Sequence, residues 1–290
     1  MNTNAATVNV PNPVDLHSHS TVSDGLLAPA ALVQEAKRRG LRVLGLTDHD
    51  TLDGLAEAEA EAATLGIELV PGVELSTDLG RHEAHILGYF VDRDEPDLLA
   101  GLDWFAQKRR ERIERIVAKL RGLGIRIELD RVRELAGVGT IGRPHVARAL
   151  IEAGYVASIT DAFDRFLTPG RPAFVARQKV SPEEGVVLIR KGGGVPVLAH
   201  PYSTGDVEGI LARLVPAGLL GLETWYGEYD EEERAELHRL ADQWGLIPTG
   251  GSDYHGPRFK PGRELGGPPV PYEAVERLRS SAERVRRSTR

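Results

Sequence analysis

The sequence of 290 residues contains no cysteine, so disulfide bonds and thiolate metal ligands are excluded. It also lacks any apolar run of about eighteen residues, which argues against a membrane-spanning helix. Residues 1–12 are polar, with neither a basic start nor an apolar stretch, so we expect no secretory signal and a cytoplasmic location. Hydrophobic residues at 41% and charged residues at 27% are ordinary for a globular protein that buries a full core.

Charge is unevenly distributed along the chain, whose net charge is −7. Residues 101–180 contain 16 Lys and Arg against 9 Asp and Glu, whereas the remainder contains 20 against 34. A basic segment within an acidic body predicts that this segment contacts something anionic. A solvated helix surface rich in arginine is the alternative that charge alone leaves open.

Short apolar runs alternate with helical patterns up to about residue 90 and again from about residue 181. The candidate strands are Val14–Leu16, Val43–Leu46, Ile67–Val70, Ile86–Phe90, Val195–Ala199, Leu219–Thr224 and Leu246–Pro248. The candidate helices are Pro29–Arg39, Leu52–Leu65, Pro182–Lys191, Val207–Val215 and Glu231–Trp244. Such alternation favours parallel strands joined by right-handed crossovers. We therefore predict an α/β fold in which these strands close into a barrel.

Residues 95–180 break this alternation and read as helices. The predicted helices there are Leu102–Leu120, Leu129–Leu135 and Pro144–Glu152. Because no Ser-, Gly- or Pro-rich linker flanks the block, we predict a helical insertion that caps the substrate, between barrel parts at 1–94 and 181–290. The basic tail Arg284–Arg290 is predicted to be a frayed, solvated end.

Six of the nine histidines lie where an apolar run begins or ends, together with acidic residues. These stretches are Val14–His19, Leu46–Asp50, Val70–Glu74, Glu83–Gly88, Val197–Pro201 and Thr249–His255. Imidazole and carboxylate groups are the ligands that Zn, Mn and Fe use in proteins. Because parallel barrels place the carboxyl ends of their strands at one mouth, we expect these side chains to meet there.

The candidate metal ligands are nine side chains from these stretches and the turn after the first. They are His17, His19, Asp24, His49, Glu74, His85, His200, Asp253 and His255. Nine ligands exceed the needs of one ion and suit two or three, with Glu74 placed to bridge a pair. Asp48 is predicted to orient an imidazole, whereas Asp50 could merely cap the next helix. His85 begins its apolar run, so strand-end reasoning does not place it, and we expect His82 to be the more exposed of the two.

These motifs closely resemble the PHP superfamily, the polymerase and histidinol phosphatase type of metal-dependent phosphoesterase. The resemblance covers Val14 to about Phe90 and Gly194 to about Val270. It implies a distorted, TIM-like barrel of seven β/α units with a trinuclear site. One ion would take His17, His19, Glu74 and Asp253, a second Glu74, His85 and His200, and a third Asp24, His49 and His255. Mn, Zn and Fe all suit such a site, and the sequence leaves the choice open.

The insertion, with its stretch Gly142–His145, looks like the subgroup that acts on nucleoside 3′,5′-bisphosphates and on the 5′ ends of short RNA. Asp24 agrees, since relatives of the histidinol phosphatase type often have a histidine there. The resemblance implies hydrolysis of phosphoric esters in a nucleotide or short oligoribonucleotide. It gives no reason to infer an obligate protein partner or a membrane. Either His200 or Asp253 is expected to assist proton transfer.

Several residues are candidates for holding the substrate. Arg143 is expected to bind a phosphate through two hydrogen bonds, a geometry that arginine favours. His145 and Lys179 are further candidates, whereas Arg110 or Arg112 is expected to be simply solvated. The dipeptide Trp225–Tyr226 could stack on a base, or it could pack at the rim of the barrel.

Three other functions remain open from the sequence. One is a small-molecule phosphatase of the histidinol phosphate type. A second is an amidohydrolase, whose barrel also starts with His-x-His, but no lysine follows an apolar strand here to bridge its metals. The third is a non-catalytic, metal-bound scaffold, like the PHP modules of bacterial replicative polymerases that have lost ligands.

Overall fold

The computed structural model describes residues 13–80, 82–137, 139–176, 180–257, 259–260 and 262–289. Within them the strands are β1 (Val14–Asp15), β2 (Val43–Leu46), β3 (Glu68–Asp78), β4 (Glu83–Tyr89), β5 (Val195–Leu198), β6 (Gly221–Tyr226) and β7 (Ile247–Gly251). The helices are α1 (Pro29–Arg38), α2 (Leu55–Leu65), α3 (Pro96–Gly122), α4 (Leu129–Ala136), α5 (Arg143–Glu152), α6 (Ile159–Ala162), α7 (Pro182–Lys191), α8 (Val207–Ala217), α9 (Glu231–Gln243) and α10 (Tyr272–Thr289). A π-helical turn at Phe163–Leu167 follows α6, and a 3₁₀ turn at Pro201–Thr204 follows β5.

The strands lie side by side in chain order, and the first and last approach each other to form a nearly closed barrel. The backbone N–H of Leu16 donates to Gly250 O at 3.2 Å, and that of His19 donates to Tyr254 O at 2.9 Å. The pairs β1–β2, β2–β3, β5–β6 and β6–β7 are parallel. The predicted class, a distorted α/β barrel of the TIM-like kind, is confirmed.

The prediction of uniformly parallel strands is wrong for β4, which runs antiparallel to both β3 and β5. Ser76 in β3 pairs with His85 in β4, and the backbone N–H of Leu79 donates to His82 O at 3.0 Å across the turn. A parallel crossover needs about a dozen residues, usually a helix, and this connection is far shorter. The two strands therefore form a hairpin, whose turn lies at the mouth of the barrel.

Two apolar layers hold the barrel together. One layer lies between the outer faces of the strands and the surrounding helices, among them α1, α2, α7, α8 and α9. The other fills the barrel interior, where α10 packs against strand residues such as Val14, Val43 and Ile247. Apolar residues of α10 recur at helical spacing, the last being the buried Val285. The predicted fraying of the tail is therefore wrong as far as Thr289, whereas Arg284 and residues 286–288 are solvated as predicted, and Arg290 lies outside the described residues.

The inserted helices α3 to α6 form an apolar cluster of their own, separate from the two layers of the barrel, with residues from Ile113 to Val175. Arg109 of α3 joins this unit to the barrel, donating to the Asp50 carboxylate and, at 2.6 Å, to Ser76 Oγ. Arg112 is buried as well, and it donates to Val175 O at 2.8 Å and to Glu83 at 3.1 Å. The expectation of a solvated arginine is therefore wrong for Arg112, whereas Arg110 is exposed as expected.

Among the described residues, no helix is both long enough and apolar enough to cross a membrane.

Candidate metal centre

The nine predicted ligand side chains converge at one mouth of the barrel. Those that follow parallel strands are His17, His19 and Asp24 after β1, His49 after β2, His200 after β5, and Asp253 and His255 after β7. Glu74 lies within β3, and His85 lies near the start of β4. Because β4 is reversed, the beginning of this strand lies at the end of the barrel where its neighbours finish. This reversal places His85, which strand-end reasoning could not do.

The Glu74 carboxylate lies at the centre of the cluster and is 1% exposed. Three imidazole nitrogens lie near its Oε2 atom: His17 Nε2 at 3.3 Å, His19 Nε2 at 3.2 Å and His49 Nδ1 at 3.2 Å. Two lie near its Oε1 atom: His85 Nδ1 at 2.7 Å and His200 Nε2 at 3.0 Å. The two oxygens of one carboxylate thus face two different sets of imidazoles.

Within the described residues, donor atoms fall into three groups, each with all its members within 4.8 Å of one another. The groups are His17, His19, Glu74 and Asp253; His19, Asp24, His49 and His255; and His49, Glu74 and His85. The first group matches one ligand set that the PHP resemblance implies. The second group contains the implied set Asp24, His49 and His255 together with His19. The third contains Glu74 and His85 of the remaining set, with His49 in the place of His200, whose Nε2 lies 3.0 Å from Glu74 Oε1.

Unusual backbone conformations place several of these side chains. His200 has φ 26° and Asp253 has φ 54°, and Asp50, beside His49, also has φ 54°. The left-handed region costs a residue other than glycine about 1–3 kcal/mol, and such strain clusters at functional sites. Gly25 follows Asp24, and a Cβ there would lie 2.3 Å from His19 O, so only glycine lets this turn lie so close.

Asp48 anchors the turn that contains Asp24. Its carboxylate accepts hydrogen bonds from the Ser20 N–H at 2.8 Å, the Ser20 hydroxyl at 2.6 Å and the Ser23 hydroxyl at 2.6 Å. The prediction that Asp48 orients an imidazole is therefore wrong. Asp50 does not cap α2 either, since its carboxylate binds Arg109 and the Ser76 N–H, the latter at 2.8 Å.

The cluster holds opposite charges in a buried space. Burial alone raises the pKa of Asp24 and Glu74, but the surrounding histidines hold both pKa values well below the usual range. Burial likewise lowers the pKa of His19, yet its interactions with Asp253 and Glu74 raise that pKa to about 9. The carboxylates are therefore ionised, and without a metal the cluster retains protons on imidazole.

The donor set fits divalent metal ions. Several buried atoms here make no well-formed hydrogen bond within the described part of the chain, although charged groups lie near most of them: His19 Nδ1 and Nε2, Asp24 Oδ1 and His49 Nδ1. Buried polar atoms in folded proteins almost always have a partner. Bound cations supply partners for such atoms, and imidazole and carboxylate are ligands that divalent metals accept.

Sequence reasoning missed two residues that contact the cluster, Glu223 beneath it and Arg263 on its open side. Glu223 on β6 lies 2.9 Å from His17 Nδ1 through Oε1 and accepts the His200 N–H through Oε2 at 2.6 Å. A glutamate inside an apolar strand was the available signal. Arg263 Nη1 lies 2.5 Å from Asp253 Oδ2, which also accepts the Tyr226 hydroxyl at 2.9 Å. Arg263 belongs to a loop rich in Gly and Pro, whose pattern gave no signal.

An open cleft of about 580 Å³ lies over the cluster. The inserted segment supplies Arg143, Pro144, Ile159, Thr160 and Phe163 to its wall. The barrel loops supply Tyr202, Ser203, Tyr226, Glu228, Tyr229, Phe259, Lys260 and Arg263. A ligand that reaches the cluster therefore contacts both the barrel and the insertion, and it meets cations and aromatic rings on the way.

Of the predicted substrate-binding residues, Arg143 lines this cleft, where its guanidinium lies 2.7 Å from Glu83 Oε2 and 5.3 Å from the centre of the Phe163 ring. His145 is buried, its Nδ1 accepts the Gly142 N–H at 2.9 Å, and burial lowers its pKa to about 4. It is not among the side chains that line the cleft. Lys179 lies outside the described residues.

The two aromatic residues at the end of β6 differ in position. The Trp225 ring packs on His238 at 4.2 Å between ring centres, which agrees with packing at the rim. Tyr226 lines the cleft, but it is buried and its hydroxyl is bonded to Asp253. His82 is exposed and His85 partly buried, as predicted.

Comparison with known proteins agrees with this geometry. A family model described as the PHP domain matches residues 15–131. A 3′,5′-nucleoside bisphosphate phosphatase of Chromobacterium violaceum is 39% identical over 87% of this chain and 90% of its own length. A 5′-3′ exoribonuclease of Haemophilus influenzae is 37% identical over 84% and 90%. The crystal structure of a Bifidobacterium adolescentis protein, provisionally assigned as a metal-dependent phosphoesterase, superposes with a TM-score of 0.83 at 29% identity, over 91% of this chain and 94% of that one.

The barrel, the buried cluster of imidazoles and carboxylates and these relatives define the class of the protein as a phosphoric ester hydrolase. The chain belongs to the PHP family.

Proposed function

We propose that this protein is a cytoplasmic, metal-dependent phosphoesterase that removes phosphate from nucleoside 3′,5′-bisphosphates and hydrolyses short RNA from its 5′ end. The observation on which this depends is the convergence of six histidines and three carboxylates beneath a cleft with cationic walls. Both substrates present a phosphate ester joined to a nucleoside. The names of two relatives, a bisphosphate phosphatase and an exoribonuclease, support this choice.

We propose that the nine ligand residues hold two or three ions of Mn, Zn or Fe. Glu74 suits a bridging role because its Oε1 faces His85 and His200 while its Oε2 faces the other imidazoles. Bound ions of this kind supply a water ionised near neutral pH and neutralise charge on phosphate oxygens. The protein contributes ionised carboxylates, aligned imidazoles and a largely buried site around them.

His200 is the stronger candidate for proton transfer in this reaction. It is only partly buried at the floor of the cleft, and its Nδ1 lies 3.1 Å from the Ser203 hydroxyl. Asp253 is less suited to give a proton. Although burial raises the pKa of Asp253, Arg263 and the neighbouring histidines hold it well below the usual range, so this carboxyl group stays ionised.

The insertion, which we assign to residues 95–180, serves as a cap that selects the substrate. Arg143 extends from its helix α5 into the cleft and would bind the phosphate that is not cleaved. Lys260 and Arg263 add positive charge on the opposite wall. The buried position of His145, whose Nδ1 accepts the Gly142 N–H, favours a role in shaping this helix over direct contact with the substrate.

The test is phosphate release by protein loaded with Mn²⁺, assayed against a panel of three substrates. The panel holds a nucleoside 3′,5′-bisphosphate, a 5′-phosphorylated dinucleotide and histidinol phosphate. We expect hydrolysis of the first two and loss of activity after chelation. Preference for histidinol phosphate would overturn the substrate assignment, and inactivity with every metal and substrate would favour a scaffold.

A further inference from the structure

Glu223 is a buried acid outside the set of nine ligands. It lies in the middle of β6 and is 0% exposed. Transfer of an ionised carboxylate from water into a protein interior is unfavourable unless hydrogen bonds and nearby charges compensate. Its partners therefore show what this residue does for the site.

The two oxygens of Glu223 go to two ligands that lie far apart in the chain. Oε1 lies 2.9 Å from His17 Nδ1, and Oε2 accepts the backbone N–H of His200 at 2.6 Å. His17 follows β1 and His200 follows β5, so a single side chain on β6 connects two separate strand ends. Hydrogen bonds to a charged acceptor are about twice as strong as neutral ones.

The contact with His17 determines which ring nitrogen faces the cluster. A neutral imidazole has one donor and one acceptor nitrogen. When Nδ1 donates to Glu223, Nε2 has a free lone pair. That atom lies 3.3 Å from Glu74 Oε2 and 3.6 Å from Asp253 Oδ1, among the other donor atoms.

The contact with His200 supports a strained backbone. The φ and ψ angles of His200 are 26° and 64°, in a region that residues other than glycine rarely occupy. Its Nε2 nevertheless reaches Glu74 Oε1 at 3.0 Å. The bond from the His200 N–H to Glu223 compensates for strain at the position where the chain turns this ring toward the centre.

We propose that Glu223 is a positioning residue that holds His17 in its metal-binding tautomer and His200 in its metal-binding backbone conformation. This inference rests on the proposed function, because it assumes that the cluster binds divalent ions. A histidine that binds a metal commonly donates a hydrogen bond from its other ring N–H to a carboxylate, and loss of that partner weakens metal binding by roughly 10–100-fold. Here the same carboxylate also holds a second ligand.

Glu223→Gln is the informative substitution. It keeps the size of the side chain but leaves one acceptor oxygen for two N–H donors, so either His17 or His200 loses its partner. The matched control is Thr224→Val, the next residue on the strand, which is also buried and whose hydroxyl contacts His238 and Thr249 O outside the cluster.

The experiment measures binding of Mn²⁺ to metal-free wild-type and variant proteins by calorimetric titration, with thermal unfolding of each metal-free protein as the check on folding. We expect Glu223→Gln to weaken the tightest Mn²⁺ binding by about 10–100-fold and Thr224→Val to change it by less than about twofold. Equal affinity of wild type and Glu223→Gln would overturn this inference alone. Wild-type protein that binds no divalent ion would overturn the proposed function and this inference together.

A second measurement does not depend on the folding of a variant. Nitrogen NMR of the wild-type protein loaded with Zn²⁺ reports which ring nitrogen of His17 bears the proton. We expect the proton on Nδ1, because that atom faces Glu223. A proton on Nε2 of His17 would overturn the assignment.

Discussion

The barrel mouth and the insertion are built on different principles. At the mouth, nine side chains that include Glu74 are held in and near the strands, and all but His85 and His200 are buried, with carboxylates and imidazoles in contact. The insertion has its own apolar cluster and meets the barrel through arginines, notably Arg109 on Asp50 and Arg143 on Glu83. One region is fixed by the sheet, whereas the other is attached by ion pairs and by the apolar side chains Leu98, Leu102 and Phe105 of α3.

Under the proposed function, this difference would separate metal binding from substrate selection. His17 and His200 each lie two residues after a strand end, so we expect changes in the insertion to leave their backbone positions intact. Arg143 on the cleft wall depends on the attachment of the insertion. We therefore expect damage to the barrel mouth to abolish metal binding, and damage to the insertion to affect stability or the Michaelis constant.

The largest effect is expected from Glu74→Gln, which removes the charge that faces five imidazoles. Phosphate release with saturating Mn²⁺ should fall by more than about 100-fold, because loss of a group merely behind the ligands already costs about 10–100-fold. The control is Glu232→Gln, an exposed residue of α9. Activity of Glu74→Gln within about twofold of wild type would remove Glu74 from the centre.

The attachment of the insertion is tested by Arg109→Met. This change leaves the buried Asp50 carboxylate without its cation, which typically costs about 3–5 kcal/mol in the free energy of unfolding. Arg110→Met is the control, since the neighbouring side chain is exposed and its loss should cost about 0.5 kcal/mol or less. Denaturant unfolding measures both variants. Equal losses would show that the ion pair does not attach the two regions.

The pH dependence of metal binding reports on the barrel mouth alone. The pKa of His19 is raised to about 9 in the metal-free protein, and a ring nitrogen must lose its proton before it can bind a cation. Affinity for Mn²⁺ should therefore rise with pH below about 9, by roughly tenfold per pH unit for each proton released. Calorimetric titrations between about pH 6.5 and about pH 8.5 measure this slope. A flat profile would contradict protonation of the cluster.

The smallest effect is expected from Arg143→Ala on the cleft wall. A lost hydrogen bond to a charged group costs about 1.5–3 kcal/mol, so the Michaelis constant for a nucleoside bisphosphate should rise by about tenfold or more. Affinity for Mn²⁺ should stay at the wild-type value. Arg148→Ala on the same helix, whose side chain contacts Leu135 O, is the matched control. An unchanged Michaelis constant would end the role assigned to Arg143.

Much of the barrel mouth could be predicted from the sequence because the pattern of apolar strands and the metal-binding side chains point to the same positions. His17 and His49 follow apolar runs, and parallel strands bring such ends together. His85 escaped this reasoning because the direction of β4 depends on a short turn that the strand pattern does not encode. Glu223 escaped it as well, since its role depends on partners more than twenty residues away along the chain.

The insertion was predicted less well, because its charged residues act through tertiary contacts. Arg112 has a polar sequence context, yet it is buried and bonded to Val175 O. The same limit applies at the barrel mouth, where Asp48 was assigned to an imidazole on chemistry alone, whereas its carboxylate accepts hydrogen bonds from Ser20 and Ser23. Helical periodicity predicts which face of a helix is apolar, but it does not predict which charged side chain on the other face is buried by tertiary contacts.

The reversal of β4 determines how long the first part of α3 must be. The chain leaves β4 at the end of the barrel remote from the ligands, where Leu98 packs against Gly192 ahead of β5. The helix reaches the mouth of the barrel at Arg109, which binds Asp50. Arg109 lies eleven positions after Leu98, which corresponds to a rise of about 16 Å along an α-helix. Deleting one residue from this stretch would rotate everything beyond it by about 100° and withdraw Arg109 from Asp50. The helices after Gly122 lie beyond this stretch, so their lengths do not determine this vertical spacing.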